Sequence, residues 1–367
     1  MEQKGYPIRV LHVLGALNIG GAEMMVMNLY RNIDREKIQF DFVIHTTAQG
    51  DFTNEILKLG GKIYSCPRYI GRNHIQYCKW WNNFLEEHRE YKIIHGHVRS
   101  TASLYMAIAK KKGCVTISHS HSTSNGEGIS ALAKNAMQYP IRHVADYLFA
   151  CSDEAGEWLF GRKAIIRNNY RVIPNAIDMK RFAFNEQKRS EIREQLGIKK
   201  EDFVIGHVGR FTEPKNHIFL IDIFQRVKQK RQNTKLLLVG DGELKGKMKL
   251  ETERLGVSDS VIFAGKKTDT EDYYQVMDAF AFPSLWEGLG IVVLEAQANG
   301  LGCIVSDGVP DKVKISESVQ FLPLEEPEKW IEALEMSEGR KMKMQFDGRE
   351  FDIKKIAFEM QGFYQEV

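Results

Sequence analysis

Short, largely apolar runs alternate along this chain with longer stretches in which apolar residues return every three or four positions. The runs at 8–14, 40–45, 63–66, 93–97, 114–118 and 147–150 are too short for helices and too uniform for strands with one wet face. They predict strands buried on both sides. Between them, the spacing predicts helices over 24–30, 52–59, 74–88, 100–112 and 129–145, and Ser152 is placed to cap another over 153–160. After Pro174 and Asn175 the pattern begins again. Strands are predicted at 203–208, 235–239, 261–264, 279–282 and 303–306, with helices at 185–196, 218–230, 243–255, 269–277 and 291–299. Gly300 is placed to stop the last of these helices. Alternation of this kind builds a parallel sheet with helices on both faces. The chain therefore reads as α/β, with two doubly wound Rossmann-like domains and a hinge near Asn175. A final apolar stripe, Ile353, Ile356, Ala357, Met360 and Phe363, predicts a packed C-terminal helix.

Open α/β sheets bind ligands at the C-terminal ends of their strands, so the loops there carry the candidate chemistry. The most informative is Pro283–Gly300, an apolar strand followed by a glycine-rich loop and a helix start. The amides of Gly288, Leu289 and Gly290 at a helix N-terminus make an anion cradle. Glu287 and Glu295 would repel an anion, so they must face something else. Sugar and ribose hydroxyls fit, because an ionised carboxylate only accepts hydrogen bonds. Arg210 and Lys215, in the loop after the strand at 203–208, supply the cations that a diphosphate needs. Gly20 and Gly21, after the first strand, either let a ligand approach the backbone closely or serve a turn that needs positive φ. His95, His97, His119 and His121 fall at strand ends. Three readings stand for them: neutral hydrogen-bond donors to a sugar or oxyanion, rings satisfied by backbone, or metal ligands. No carboxylate stands at a fixed spacing from them, which disfavours the metal.

Composition narrows the field. No apolar run approaches a membrane span, and residues 1–5 lack the apolar core of a signal peptide. The five cysteines are scattered without a CxxC, which disfavours a disulfide framework or a zinc site and makes a reducing cytosol the default. Residues 1–175 hold 22 Lys and Arg against 15 Asp and Glu, while the remainder hold 29 against 33. A basic first half suits an anionic membrane or acceptor as well as an ordinary charged surface. Nucleic acid is disfavoured, since there is no basic helix and no base-stacking aromatic pattern. The P-loop and the GxGxxG fingerprint are both missing, which disfavours ATP hydrolysis of that type and a dehydrogenase. There is no Asp-x-Asp, the pair that holds a nucleotide diphosphate through a divalent metal in other transferases.

Glu287-x7-Glu295 with its Glu287–Gly290 loop, the pair Arg210/Lys215, Gly20-Gly21-Ala22-Glu23 and Val172-Ile173-Pro174-Asn175 together resemble glycosyltransferase family 4. The segments Val305–Ile315 and Ser118–Ser122 look like its capsule and exopolysaccharide branch, although Pro310-Asp311 stands where many relatives have Pro-Glu. The resemblance implies a GT-B fold, with domains at 1–175 and 176–348 facing a central cleft and a helix at 349–367 crossing back to the first. It implies retaining, metal-independent transfer of a hexosyl or N-acetylhexosaminyl group from a nucleotide diphosphate sugar, UDP by family habit. No cofactor is expected. The acceptor implied is a glycan or polyprenyl-diphosphate-linked glycan for surface polysaccharide, handled in the cytoplasm or at the inner membrane face. Glu295 would then bind ribose and Glu287 the donor sugar. Arg210, Lys215 and the amides of Gly288–Gly290 would hold the diphosphate, with the Gly20–Gly21 loop closing over it. The base would lie near Gly265 and Lys266. His119 matches the family histidine at the anomeric centre, His121 is its rival, and His97 and Asn175 are possible acceptor or sugar contacts. A nucleotide-sugar epimerase, a phosphorylase or a non-catalytic nucleotide-binding scaffold are the competing readings.

Overall fold

The structure, a computed structural model, describes residues 6–122, 135–337, 339–340 and 349–367. It divides into two units, Met1–Ala176 with Glu350–Val367, and Ile177–Arg349.

The first unit is built on seven parallel strands: β1 Ile8–Leu14, β2 Ile38–Ile44, β3 Ile63–Ser65, β4 Ile93–Gly96, β5 Val115–Ser120, β6 Tyr147–Ala150 and β7 Tyr170–Val172. Their order is β3-β2-β1-β4-β5-β6-β7, so the winding reverses between β1 and β4. The inner strands β1, β2 and β4 are buried on both faces, which is why apolar residues dominate them, with Arg9, His12, Gln39, Asp41 and His95 as the exceptions. One face is covered by the helices Gly21–Asn32 and Ile353–Glu366, the other by His74–Glu87, Ala102–Lys111 and Asp153–Phe160. The C-terminal helix puts Ile353, Ile356, Ala357, Met360, Phe363 and Tyr364 into the core of this unit, one turn apart as its stripe requires, and Asp352 caps it.

The second unit repeats the plan with six parallel strands: β8 Phe203–Val208, β9 Thr234–Val239, β10 Val261–Gly265, β11 Ala279–Phe282, β12 Gly302–Ser306 and β13 Val319–Leu322. The order is β10-β9-β8-β11-β12-β13, and the reversal lies between β8 and β11. Among the described residues, no helix is long and apolar enough to cross a membrane.

Several elements differ from the expected ones. β7, β13 and the helix Pro327–Glu335 carry no predicted counterpart. β7 is three residues at a sheet edge with Arg171 and Val172 exposed, so it lacks a buried apolar run. The helix expected at 129–145 falls partly outside the described residues; its described part is helical at 135–138 and Ile141–Val144, with a turn between them. The first helix begins at Gly21, three residues before the predicted start, so Gly20 is its N-cap.

Candidate functional site

The reversal between β8 and β11 places two loops side by side at the strand C-termini of the second unit. The Leu285 amide donates to the Pro214 carbonyl at 2.7 Å and ties one loop to the other. The Glu287 amide donates to the Gly308 carbonyl at 3.1 Å. A Cβ on Gly308 would lie 2.3 Å from the Leu285 carbonyl oxygen, so only glycine lets the backbones approach this closely. The result is an ion pair between Lys215 Nζ and Glu287 Oε1, with the two side chains 20% and 14% exposed. The Lys215 ammonium also lies 4.8 Å from the centre of the Phe282 ring.

Beside this pair begins the helix Ile291–Ala298. Gly290 is its N-cap at φ +83°, no side chain caps it, and the amides of Gly288, Leu289 and Gly290 make no hydrogen bond among the described residues. That leaves an open, positively polarised helix start. One turn in, Glu295 is buried and accepts a 2.7 Å hydrogen bond from Tyr274 Oη. Burial pushes its carboxyl up to about 7, against the lowering effect of that hydrogen bond. Tyr274 had no signal of its own in the sequence beyond the helix it sits on.

Arg210 stands apart from this cluster. Its side chain is 72% exposed and meets Glu243 at 3.5 Å, so it does not join Lys215 beside Glu287. An exposed guanidinium keeps most of its hydration, so its pairing with a surface carboxylate contributes little. Gly265 ends β10 at φ +75°, past an irregularity in its pairing with β9, and Lys266 follows it. Under the Lys215 turn lie His207 and His217, both buried, with His207 Nε2 and both ring nitrogens of His217 lacking hydrogen-bond partners. Burial holds His207 down at about 4 and His217 at about 2, with the Lys215 charge adding to both.

In the first unit, Gly20 has an extended backbone at φ −156°, and neither it nor Gly21 has positive φ, which removes the turn explanation for both. A Cβ on Gly21 would meet nothing within 4 Å. No side chain caps the helix that starts here. Asn175 has a buried Oδ1 without a partner.

The histidines form one cluster. β1 and β4 pair with His12 opposite His95, and a two-residue period keeps His97 on the side of His95 and His121 on that of His119. His12 Nδ1 lies 3.0 Å from His97 Nε2, and His97 Nδ1 lies 2.8 Å from His121 Nε2. His95 Nε2 lies 3.2 Å from His119 Nδ1, and Tyr364 Oη 2.7 Å from His95 Nδ1. His95 and His119 stand within β4 and β5, not beyond the strand ends, because the ladder to β6 runs on to Ser120. Burial drives all five rings far below the usual histidine value, to about 3 for His12 and His121, so they are neutral. Two trios, His12/His95/His97 and His97/His119/His121, have ligand atoms close enough for a metal ion. Four N···N or N···O contacts already pair these rings with one another and with Tyr364. His12 and Tyr364 were not recognised from sequence. His12 sits mid-strand in an apolar run, and Tyr364 is one of several aromatics on a packed helix.

The family described as glycosyltransferase family 4 matches residues 19–181, and that described as glycosyl transferases group 1 matches residues 188–335. The putative glycosyltransferase EpsF of Bacillus subtilis is 36% identical over 89% of this chain and 86% of its own length. The capsular polysaccharide biosynthesis glycosyltransferase CapH of Staphylococcus aureus is 23% identical over 97% and 98%. An Escherichia coli UDP-Gal:alpha-D-GlcNAc-diphosphoundecaprenol alpha-1,3-galactosyltransferase is 26% identical over 61% of this chain and 59% of that protein. Among solved structures, Anabaena HepE in complex with UDP superimposes with a TM-score of 0.76 at 17% identity, covering 98% of this chain and all of that one.

Proposed function

The chain belongs to glycosyltransferase family 4, and from that premise we propose that it moves a sugar, with retention and without a metal, from a UDP-sugar to a glycan or polyprenyl-diphosphate-linked acceptor in surface polysaccharide synthesis. The observation that carries this reading is the Lys215–Glu287 pair beside an open helix N-terminus whose second turn buries Glu295. An incoming diphosphate takes over Lys215 and the free amides of Gly288–Gly290, and Glu287 is released to accept from a sugar hydroxyl. Arg210, exposed and paired among the described residues with a surface carboxylate, turns to the same anion at little cost. Glu295 accepts from the ribose hydroxyls. His119 offers its ring N–H to the sugar. Retention then follows same-face departure and attack, in which the leaving diphosphate oxygen, stabilised by the two cations and the helix start, takes the acceptor proton. The diphosphoundecaprenol-linked acceptor of the Escherichia coli relative supports the acceptor class, and the capsular role of the Staphylococcus aureus relative supports surface polysaccharide. The UDP complex of HepE supports the donor nucleotide.

A panel of nucleotide sugars, screened by calorimetry and followed by NMR of the product anomer, tests this. A product with the donor's anomeric configuration, formed only with acceptor present, is expected. An inverted product ends the retaining mechanism. Donor isomerisation without acceptor points to an epimerase, and binding without turnover to a scaffold. Turnover is expected to survive exhaustive chelation, and its loss with recovery on metal addition would reinstate the histidine trios as a metal site.

Glu295 gives a pH signature. With its carboxyl at about 7, only the ionised form accepts both ribose hydroxyls. Affinity for UDP-glucose is expected to fall about tenfold from pH 8 to pH 6, and Glu295→Gln should bind more weakly and lose this dependence. Calorimetry over that range checks it; a wild-type affinity flat with pH removes Glu295 from the ribose.

A further inference from the structure

We propose that the turn at 66–73 and the start of the helix His74–Glu87 form a docking surface for an anionic lipid bilayer, with Ile70 and Ile75 entering the interface and Arg68, Arg72 and Lys79 meeting lipid phosphates. The turn follows β3, so it lies at the end of the first unit's sheet where the strand C-termini are. Its inner side is fixed. The Tyr69 ring packs 5.3 Å from that of Tyr77, which is fully buried. Asn73 stitches the turn from within: its Nδ2 donates to the Arg68 carbonyl and its Oδ1 accepts from the Ile70 amide, both at 2.9 Å. Tyr69 Oη lies 3.2 Å from His74 Nδ1 and ties the turn to the helix start. The outer side carries the two isoleucines, Ile70 66% and Ile75 83% exposed. Arg68, Arg72 and Lys79 are exposed beside them, and among the described residues none of the three is in an ion pair. Ile75 and Lys79 stand one helical turn apart on the same face.

Two apolar side chains with a rim of unpaired cations are the pattern of an interaction site, and the charge selects the occupant. From residue 56 to residue 85 the chain has Lys58, Lys62, Arg68, Arg72 and Lys79 but no Asp or Glu. A second copy docked face to face would set these cations against one another. A soluble polyanion would pair with the cations and leave both isoleucines in water. An anionic bilayer takes both, with phosphates for the cations and the acyl boundary for the branched side chains. Each cation held at such a surface strengthens binding about fivefold, and less as salt screens it.

The test sediments the full-length protein with vesicles of phosphatidylcholine holding about one-third phosphatidylglycerol, and with vesicles of phosphatidylcholine alone. Binding to the anionic vesicles only is expected, and raising salt to about 1 M should weaken it about tenfold or more. Ile70→Ser/Ile75→Ser should weaken it by about tenfold or more, and Arg68→Ala/Arg72→Ala/Lys79→Ala by about 100-fold. All of these positions are exposed, so both variants are expected to melt as the wild type does. Ile166→Ser is the control. Ile166 is 82% exposed but precedes β7, at the opposite end of the sheet, and this variant should bind as the wild type does. No binding to either vesicle, equal binding to both, patch variants that bind like the wild type, or a loss matched by Ile166→Ser would each overturn the proposal. The docking stands on this patch alone; its use in transfer rests on the lipid-linked acceptor proposed above. If the vesicle contrasts appear as expected while no nucleotide sugar is turned over, the glycosyltransfer reading fails and the docking surface stands.

Discussion

At pH 5.5 the first unit is expected to lose about 7 kcal/mol of stability relative to pH 7.5, enough to unfold it while the second unit persists. Its cause is the set of five neutral rings, His12, His95, His97 and His119 buried and His121 half-buried. Burial depresses each folded pKa far below the unfolded value of about 6.5. The stability they contribute is therefore present above pH 6.5 and lost as pH falls toward the folded values. At one unit below 6.5, each unfolded histidine gains about 1.4 kcal/mol from protonation that the folded ring cannot follow. Five such gains match the whole stability of an ordinary domain, about 5–15 kcal/mol. The second unit is buffered. His207 and His217 add a similar loss of about 3 kcal/mol, but Glu295 works the other way. Its folded pKa is raised to about 7, so its contribution is present at low pH and lost as pH rises through 7. About 1 kcal/mol of net loss remains there from these three groups. Hydrogen exchange followed by mass spectrometry, corrected for intrinsic rates, reads both units at once. Peptides of β1, β4 and β5 that stay protected at pH 5.5 would show that the rings are hydrated or charged in the folded state.

Lys215→Ala is expected to reduce kcat/KM for transfer by about 100-fold or more and to weaken UDP binding by about tenfold. A charge-assisted hydrogen bond to phosphate contributes about 1.5–3 kcal/mol. The larger loss falls on turnover because the leaving diphosphate carries more charge than the bound donor. The variant also strands Glu287, whose side chain is only 14% exposed and which would face the diphosphate without its cation. Lys215→Ala/Glu287→Gln is therefore expected to recover part of the nucleotide affinity, though not turnover. Arg210→Ala, at an exposed position, should leave thermal stability within about 0.5 kcal/mol of wild type. Unchanged UDP affinity in Lys215→Ala would take that residue out of the donor site and with it the main support for the proposed function.

Much of the fold was legible because buried parallel strands leave a plain mark: β11 is apolar throughout, β1, β2 and β8 are mostly so, and the helices between them keep a helical period. The short edge strand β7 lacks that mark, since a strand wet on one side and three residues long is indistinguishable from a loop. The donor-side residues Lys215, Glu287 and Glu295 could be named because loops at strand ends and carboxylates beside glycine-rich turns are rare and local. Their pairing could not. Lys215 and Glu287 are 72 positions apart, and what brings them together is a strand order that skips from β8 to β11.

The sequence by itself determined that this chain is two parallel α/β units, that it carries the residues of a family 4 glycosyltransferase, and that its last helix needs an apolar surface to cover. Those properties depend on local period and on residue types in sequence order. Only the tertiary structure decided that the loops after β8 and β11 bring Lys215 to Glu287, that Glu295 is buried to a carboxyl value near 7, and that five histidines from three strands share one face. It also decided that Tyr364, 269 positions from His95, ends one of their chains. Burial and long-range contact set charge state and hydrogen-bond pairing, and neither is encoded in the spacing of neighbours along the chain.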